Sequence, residues 1–163
     1  MTRIEAIELY NKLTGITSCE LNKFLLFALA KTKEELKKIF DDVLQKEMEL
    51  NSILVNFEKA RLSLLEQLAE KNVDGSPIIE ANRYKLSDEN RLILEGDIEK
   101  LKQVFSEDIK KHEQMVSEYK GFVSEQIDVN ITKTKFKYLP EKLAPEDFYV
   151  FMKLIDDTEA VEE

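Results

Sequence analysis

The chain has 163 residues, of which 35% are charged and 43% are apolar, and its formal net charge is −9. A single domain of this length can bury a substantial core, and the low numbers of Gly (4) and Pro (3) favour long helices over a turn-rich β fold. The acidic balance argues against direct nucleic-acid binding and against adsorption to an anionic membrane. No apolar run is long enough to cross a bilayer and the N-terminus lacks a signal-peptide core, so we expect cytoplasmic synthesis.

Residues 1–31 are predicted to form short N-terminal helices. In "IEAIELYNKL", Ile4, Ile7 and Leu13 lie near one stripe of an amphipathic helix. Gly15 is expected to end that helix, because glycine readily adopts the backbone conformation of a helix C-cap.

The second helix has two candidate starting points. Thr17 or Ser18 could cap it, since both side chains accept a hydrogen bond from a helix N-terminus. Thr32 followed by Glu35 matches a capping box further along. The chain therefore either kinks near Lys31 or runs straight through as one helix.

Residues 32–71 and 88–126 predict a long antiparallel coiled-coil helical hairpin. In each run, positions spaced alternately by four and three residues form a seam, apolar at eight of ten positions in the first and seven of ten in the second. The first seam consists of Leu36, Phe40, Val43, Glu47, Leu50, Leu54, Phe57, Arg61, Leu64 and Leu68. The second seam consists of Leu94, Ile98, Leu101, Phe105, Asp108, His112, Met115, Tyr119, Phe122 and Gln126. Each seam is expected to pack against the other.

Three polar seam residues fall near one level if the chain folds back near Ala81: Glu47, Asp108 and His112. A metal site needs three or four converging ligands, so we interpret these residues as fixing helix register instead. Cys19 is the only cysteine and His112 the only histidine, and we interpret Cys19 as an ordinary residue at a helix start. No Gly-rich phosphate loop or paired catalytic carboxylates are evident. We predict no catalytic residue, no metal and no cofactor, and therefore a protein that is not an enzyme.

Residues 72–87 predict a small β-hairpin at the tip, between the two long helices. Asp74–Gly75 is a turn signal, and Pro77 suits the start of an edge strand better than a helix interior. The segments "PIIE" and "RYKL" are expected to pair as strands about Ala81–Asn82. Ser87 is the predicted cap of the returning helix.

Residues 127–155 predict a strand followed by a closing helix at the base of the hairpin. Ile127, Val129 and Ile131 alternate with polar residues, which is the period of a strand. The lysines that follow are typical of a sheet edge that discourages further pairing. Residues 156–163 form an acidic tail.

The closing helix is predicted to begin at Pro145, with Glu146 and Asp147 in its first turn. Its aromatic and aliphatic side chains are too apolar to leave in water. The helix therefore either closes the base beside the N-terminal helix, which we favour, or docks into another subunit.

Partner-binding residues are predicted at both ends of the hairpin. At the tip they are Ile78, Ile79 and Tyr84, and on the closing helix they are Phe148, Phe151 and Met152. Two-stranded packing also leaves a set of flanking apolar residues partly uncovered: Ile39, Leu44, Ile53, Leu65, Ile93, Val104 and Ile109. A three- or four-helix arrangement, formed either with the terminal helices or in a dimer, would bury them, and we expect a homo-oligomer.

Three stretches in this order resemble a poorly characterised family of short proteins encoded by phages and prophages. They are "EAIELYNKL", "FEKARLSLLEQLAEKNVDGSPI" with "YKLSDENR", and "KFKYLPEKLAPEDFYVFMKLI". The helices here are longer than in that family and "FLLFALAK" is more apolar. The resemblance implies a viral protein of the host cytoplasm, with possible incorporation in the virion, and it carries over no active-site residue.

The leading hypothesis is a non-enzymatic, phage-encoded protein–protein interaction protein with a virion-associated or assembly role, whose partner is a virion protein or a host protein. The alternative is an acidic inhibitor or nucleic-acid mimic directed at a host DNA- or RNA-binding or defence enzyme, which the interspersed lysines and arginines disfavour. A further alternative is a prefoldin-like chaperone, because prefoldin subunits also join two coiled-coil helices through β-hairpin structure. That likeness concerns the overall architecture alone, and no sequence motif supports it.

Overall fold

The structure, a computed structural model, describes residues 1–16 and 21–156. These residues are mainly helical, with six α-helices, one 3-10 turn and one two-stranded antiparallel sheet. The elements are α1 (Arg3–Gly15), α2 (Lys23–Ile53), α3 (Val55–Leu68), β1 (Ile79–Glu80), β2 (Arg83–Tyr84), α4 (Asp88–Val104), α5 (Ser106–Ser124), the 3-10 turn (Phe136–Tyr138) and α6 (Pro145–Met152). Within the described ranges, no helix combines the length and apolarity needed to span a membrane.

The chain divides into two compact units. The first unit comprises Met1–Lys46 and Tyr119–Glu163, and the second comprises Glu47–Glu118.

The core of the first unit is built where α1 and α6 pack against each other and against α2. The closing helix α6 thus lies beside the N-terminal helix α1. Its fully or almost fully buried side chains are Ala6, Leu9, Leu13, Leu25, Leu36, Val150, Phe151 and Leu154. Burial of such side chains is the main favourable contribution to the stability of this unit.

Helix α1 buries a different stripe from the predicted one. Leu13 is buried as expected, but Ile4 is exposed and Ile7 only half-buried, while Ala6 and Leu9 face the core. The helix begins with a capping box that the sequence analysis missed: the Glu5 amide donates to Thr2 Oγ1, and the Thr2 amide donates to the Glu5 carboxylate. The predicted stripe was wrong because a small residue, Ala6, makes the close contact with the core.

Helix α2 runs straight through Thr32, which is the second of the two alternatives for this stretch, and the capping box suggested by Thr32 and Glu35 does not form. Thr32 lies inside the helix and is fully buried, and its Oγ1 accepts a hydrogen bond of 3.1 Å from the Thr132 amide. At the start of α2, Asn22 Oδ1 accepts from the Phe24 amide. The predicted caps Thr17 and Ser18 lie outside the described residues.

In the second unit, α3 and α4 pack together in opposite directions. The Phe57 ring at the start of α3 meets the Phe105 ring just after α4, with centroids 5.9 Å apart. At the other end, Asn90 Nδ2 in the first turn of α4 donates to the carbonyl oxygen of Leu68 at the end of α3. These two contacts set the register of the pair.

Both long predicted helices are interrupted at one seam residue. Leu54 (φ −93°, ψ 7°) separates α2 from α3, and Phe105 (φ −97°, ψ 21°) separates α4 from α5. Neither residue is Gly or Pro, so local propensity does not account for the interruptions. The helices also end at Leu68 and Ser124, earlier than predicted.

The β-hairpin predicted for residues 72–87 is confirmed, and its turn residues adopt the expected backbone conformations. β1 and β2 pair antiparallel with Ile79 opposite Tyr84 and Glu80 opposite Arg83. Gly75 adopts a positive φ of 83°, as its turn requires. Ser87 caps α4 by accepting a hydrogen bond from the Asn90 amide.

The turn between β1 and β2 offers a test of backbone strain. Ala81 and Asn82 both have positive φ, 48° and 61°, as in the tight turns that suit the twist of hairpin strands. A left-handed conformation costs an L-residue other than Gly about 1–2 kcal/mol. We expect Ala81→Gly to raise the free energy of unfolding by about 0.5 kcal/mol, since glycine removes the strain but loses more chain entropy.

Chemical denaturation measures this change, and Ala60→Gly in α3 is the matched control. Glycine inside a helix lowers the free energy of unfolding by about 1 kcal/mol. Opposite signs for the two substitutions are expected. A destabilising Ala81→Gly would contradict the assignment of strain to this turn.

The strand predicted at the start of residues 127–155 is wrong. Ile127, Val129 and Ile131 pack against the core of the first unit and Asp128 is exposed, so the predicted alternation of faces is present. Among the described residues the segment nevertheless pairs with no strand, because its backbone partners are the chain N-terminus, the Thr32 side chain of α2 and residues just after α6. The Ile127 and Met1 main chains exchange hydrogen bonds, the Thr132 amide uses a side-chain oxygen, and Thr134 bridges Ile155.

Candidate partner-binding surfaces

Helix α6 has one buried and one exposed side. Pro145 occupies its first turn with Glu146 and Asp147, as predicted. Phe151 is fully buried and Val150 nearly so, whereas Phe148 and Tyr149 remain exposed. These positions differ by less than one turn, so the packing against α1 decides which aromatic residues stay accessible.

The prediction of Phe151 as a contact residue is therefore wrong. Its ring lies within the core formed with Leu9 and Leu13, and no part of it reaches solvent. Met152 is half-buried and Phe148 is exposed. Of the three residues predicted on this helix, Phe148 is the most accessible.

Phe148 lines a groove of about 570 Å³ in the first unit, which we term the aromatic groove. Its wall residues are Phe136, Lys137, Leu139, Pro140, Glu141, Leu143, Pro145, Phe148 and Tyr149. Phe136 is 57% exposed and Tyr149 is 75% exposed. The Phe148 and Tyr149 rings meet edge to face with centroids 6.2 Å apart. The groove therefore presents three aromatic rings and two prolines to a ligand.

Local structure holds the aromatic groove in place. The 3-10 turn is closed by a hydrogen bond of 3.0 Å from the Leu139 amide to the Phe136 carbonyl. The Phe148 amide donates to the Ala144 carbonyl at the start of α6. The rings are consequently carried by hydrogen-bonded backbone, which limits the conformational entropy lost when a ligand binds.

The apolar surface continues from the 3-10 turn onto α2. The rings of Tyr138 and Phe24 lie 4.7 Å apart, and Phe24 is about half exposed. Phe27, one turn along α2, is exposed as well. Lys23 and Lys137 place their ammonium groups over these rings at 5.1 Å from Phe24 and 5.5 Å from Tyr138. Aromatic residues are enriched at protein–protein contact surfaces relative to the rest of a protein surface.

A second, larger cavity of about 860 Å³ lies between α1 and α6. Its floor includes Leu9 and Val150. Its charged wall residues are Glu5, Glu8, Lys12, Glu146, Asp147 and Lys153. The Glu5 carboxylate already serves the cap of α1, and the remaining charges have both signs, so this cavity has no single electrostatic character.

The predicted tip residues lie together in the second unit. Ile79 is exposed, while Ile78 and Tyr84 are half-buried. The Tyr84 hydroxyl donates to Glu66 Oε1 at 3.0 Å, and this hydrogen bond raises the pKa of the Tyr84 phenol above its ordinary value. The Ile78 amide donates to the Glu70 carbonyl. The hairpin is therefore fastened to the helices, and Ile79 is its most accessible apolar side chain.

Lys85 adds an ion-pair network beneath the hairpin. Its Nζ lies 3.3 Å from Glu80 Oε1 and 3.4 Å from Glu70 Oε2. The hydrogen bond to Glu80 and the charge of Glu70 raise the pKa of Lys85. All three side chains are exposed, so the network contributes little to stability.

No group of three or more metal-ligating side chains occurs within residues 1–16 and 21–156. Of the polar seam residues, Glu47 is exposed, and Asp108 and His112 are half-buried. Cys19 lies outside the described ranges.

Phe136 and Tyr149 are the two most exposed aromatic residues of the groove, and neither was among the predicted contact residues. The lysines beside Phe136 suggested a sheet edge, and Tyr149 was not singled out from its apolar neighbours. The available signal was the combination of two prolines and several aromatic residues in "KFKYLPEKLAPEDFYVF", since prolines break regular structure and leave neighbouring rings without a helix or strand to cover them. No family model, curated protein or solved structure matches this chain.

Proposed function

We propose that this chain is a non-enzymatic protein–protein interaction protein and that the aromatic groove is its main contact surface. The supporting observation is the arrangement of α6, which buries Phe151 and leaves Phe148 and Tyr149 beside Phe136 around one cavity. Aromatic residues supply much of the binding energy at protein interfaces, where a few anchors dominate. Apolar clusters on a protein surface are typical of binding sites.

In this proposal the long helices form an antiparallel coiled-coil hairpin that carries the contact surfaces. Support comes from the burial of the seam residues Val43 and Leu94 and from the Phe57–Phe105 contact. The exposed Ile79 of the tip is a secondary contact. The proposed roles of the tip and the groove are independent, since they belong to different units.

A virion-associated or assembly role in a phage is the specific form of this proposal. It rests on the family resemblance of the three stretches described above. The partner is accordingly a virion protein or a host protein, and no cofactor is required.

The acidic-inhibitor alternative has weaker support. A nucleic-acid mimic needs uncompensated carboxylates at phosphate-like spacing, whereas six ion pairs join residues three apart on the described helices. The exposed pairs Asp97–Lys100 and Glu99–Lys102 are examples. Such pairs reduce the local field even though the net charge stays at −9.

The proposal predicts that a double variant, Phe136→Ala with Tyr149→Ala, loses its partner. The tagged chain and the variant are used to capture proteins from phage-infected cells, with washes at low and high salt and quantitative mass spectrometry. A central aromatic anchor contributes about 2 kcal/mol to binding, so the loss of one anchor weakens binding by about 30-fold. The loss of both is expected to weaken it further. Leu92→Ala, an exposed apolar residue of the second unit, is the control and is expected to retain the partner.

The two functional hypotheses give different outcomes in this experiment. A partner that survives high salt and is lost only in the double variant supports an apolar interface at the groove. A partner that is lost as salt rises and is unaffected by the double variant contradicts the proposal and favours the acidic inhibitor.

A further inference from the structure

The two longest stretches of the chain without an acidic residue meet in the first unit. They are residues 21–33 and 129–140, and each holds three lysines. Acidic residues occupy 33 of the 163 positions, so their absence from both stretches is a local departure from the average composition. Positive charge is therefore concentrated in two segments of a chain whose net charge is −9.

Side-chain contacts hold the two stretches together in opposite directions. At one end, Thr32 Oγ1 accepts a hydrogen bond of 3.1 Å from the Thr132 amide. At the other end, the rings of Phe24 and Tyr138 lie 4.7 Å apart. The part of α2 between these two contacts is about 12 Å long, at 1.5 Å per residue. The positive charge of both stretches therefore belongs to one short section of the unit.

Exposed aromatic rings lie among these lysines. Phe24, Phe27 and Phe136 are 47%, 60% and 57% exposed. Phe27 follows Phe24 by three residues, so the two side chains are neighbours on one face of α2. Phe136 begins the 3-10 turn that also contains Tyr138. The exposed aromatic surface thus extends beyond the aromatic groove and along the first turns of α2.

Two of the lysines lie beside these rings and are exposed. Lys23 and Lys137 place their ammonium groups over the rings of Phe24 and Tyr138. Among residues 1–16 and 21–156, neither ammonium group forms an ion pair with a carboxylate. Both charges are therefore accessible to the carboxylates of a ligand. We define the lysine–aromatic surface as Lys23, Phe24, Phe27, Phe136, Lys137 and Tyr138.

We propose that the lysine–aromatic surface binds an acidic segment of a partner protein, one that carries both carboxylates and large apolar side chains. The two ammonium groups attract the carboxylates and disfavour basic segments, because like charges placed together are repelled. The exposed rings supply the apolar anchors that dominate binding energy at protein interfaces. This inference rests on the proposed function, since Phe136 also lines the aromatic groove, and it adds the chemistry of the partner.

A short acidic segment fits this surface better than a nucleic acid does. The positive section is little longer than the screening length of about 8–10 Å at physiological salt. A long polyanion would extend past it over a chain with a net charge of −9, which repels it. Both stretches also lack arginine, the residue whose planar group binds phosphate through two parallel hydrogen bonds.

Selection from a random peptide library displayed on yeast tests the proposal without assuming a partner sequence. The full chain is the bait, and peptides of about 12 residues are long enough to cross the surface, at about 3.3 Å per extended residue. The selected peptides are expected to be enriched in aspartate and glutamate together with phenylalanine, tyrosine, tryptophan or leucine. Selected peptides that are neutral or basic, or a lack of any enrichment, would overturn the proposal.

Fluorescence anisotropy then measures the affinity of the strongest selected peptide for variants of the chain. Lys23→Glu with Lys137→Glu is expected to weaken binding about 10-fold or more, since two attractions become repulsions. Glutamate at the first residue of α2 is favoured by the helix dipole, so circular dichroism is expected to show an unchanged helical content.

Lys12→Glu with Lys37→Glu is the matched control. It changes the net charge by the same amount at two exposed lysines outside the lysine–aromatic surface. Because salt screens charges that lie more than about 10 Å away, this variant is expected to bind the peptide within about twofold of the wild type. Equal weakening by both double variants would show a response to net charge alone and would overturn the proposal.

Two further comparisons separate this inference from the proposed function and from nucleic-acid binding. Phe136→Ala is expected to weaken the selected peptide as well. If it does so while the lysine variant has no effect, the aromatic groove remains a contact surface and only the acidic partner is overturned. A single-stranded thymidine oligonucleotide is expected to bind more weakly than the peptide, and tighter binding of the oligonucleotide would overturn the proposal.

Discussion

Replacing Phe151 with Ala is expected to lower the free energy of unfolding by about 3–5 kcal/mol, the range for removing an aromatic ring from a closed core. Phe151 is fully buried in the first unit among Leu9, Leu13 and Leu154. The substitution removes its apolar contacts and leaves a cavity, because the surrounding helices relax only in part. Urea denaturation followed by circular dichroism measures the change.

Tyr149→Ala on the same helix is the control. Its ring is mostly exposed, so the free energy of unfolding is expected to change by no more than about 0.5 kcal/mol. Comparing the two substitutions distinguishes the buried side of α6 from the exposed side that we propose binds a partner. Similar destabilisation by both substitutions would contradict the orientation of α6 and, with it, the aromatic groove.

Thr32→Val is expected to lower the free energy of unfolding by about 1–3 kcal/mol, the cost of leaving a buried hydrogen-bonding group without its partner. The Thr32 hydroxyl, inside α2 and fully buried, accepts the hydrogen bond from the Thr132 amide. Valine has nearly the same shape but no acceptor. The substitution therefore tests the hydrogen bond rather than the packing.

Thr32→Ser supplies the complementary control. Serine keeps the acceptor oxygen and loses one methyl group, so a smaller loss of about 0.8 kcal/mol is expected. Thermal or chemical unfolding ranks the two variants. If valine is tolerated as well as serine, the hydrogen bond does not anchor residues near Thr132 to α2.

Residues close together in the chain account for the features predicted correctly. Ser87 caps α4, Gly75 adopts a positive φ and Pro145 starts α6, each because its own covalent structure favours that conformation. The β-hairpin about Ala81–Asn82 follows from the same local reasoning. The mainly helical character follows from the long 3.5-residue periodicity, which is a strong signal over many turns.

Predictions failed where several side chains of one helix are similarly apolar and only a neighbouring segment decides which of them is buried. In α1, Ile4 and Leu9 are equally apolar, and only the approach of α6 selects Leu9 for burial. In α6 almost every residue is apolar, so periodicity does not distinguish Phe151 from Tyr149. The strand predicted at residues 127–131 had the right alternation, but a strand needs a neighbouring strand, and residues 1–16 and 21–156 place none beside it.

The sequence by itself determined the helical composition, the Ser87 cap of α4, the start of α6 at Pro145 and the β-hairpin about Ala81–Asn82. These depend on backbone preferences and on patterns that repeat over many residues, and both are readable along the chain. Tertiary structure alone decided that Phe151 is core and Tyr149 is surface, that Thr32 serves Thr132, and that the chain forms two compact units. The reason is that burial of a side chain depends on which distant segment packs against its helix face. The sequence of an eight-residue helix does not specify that segment.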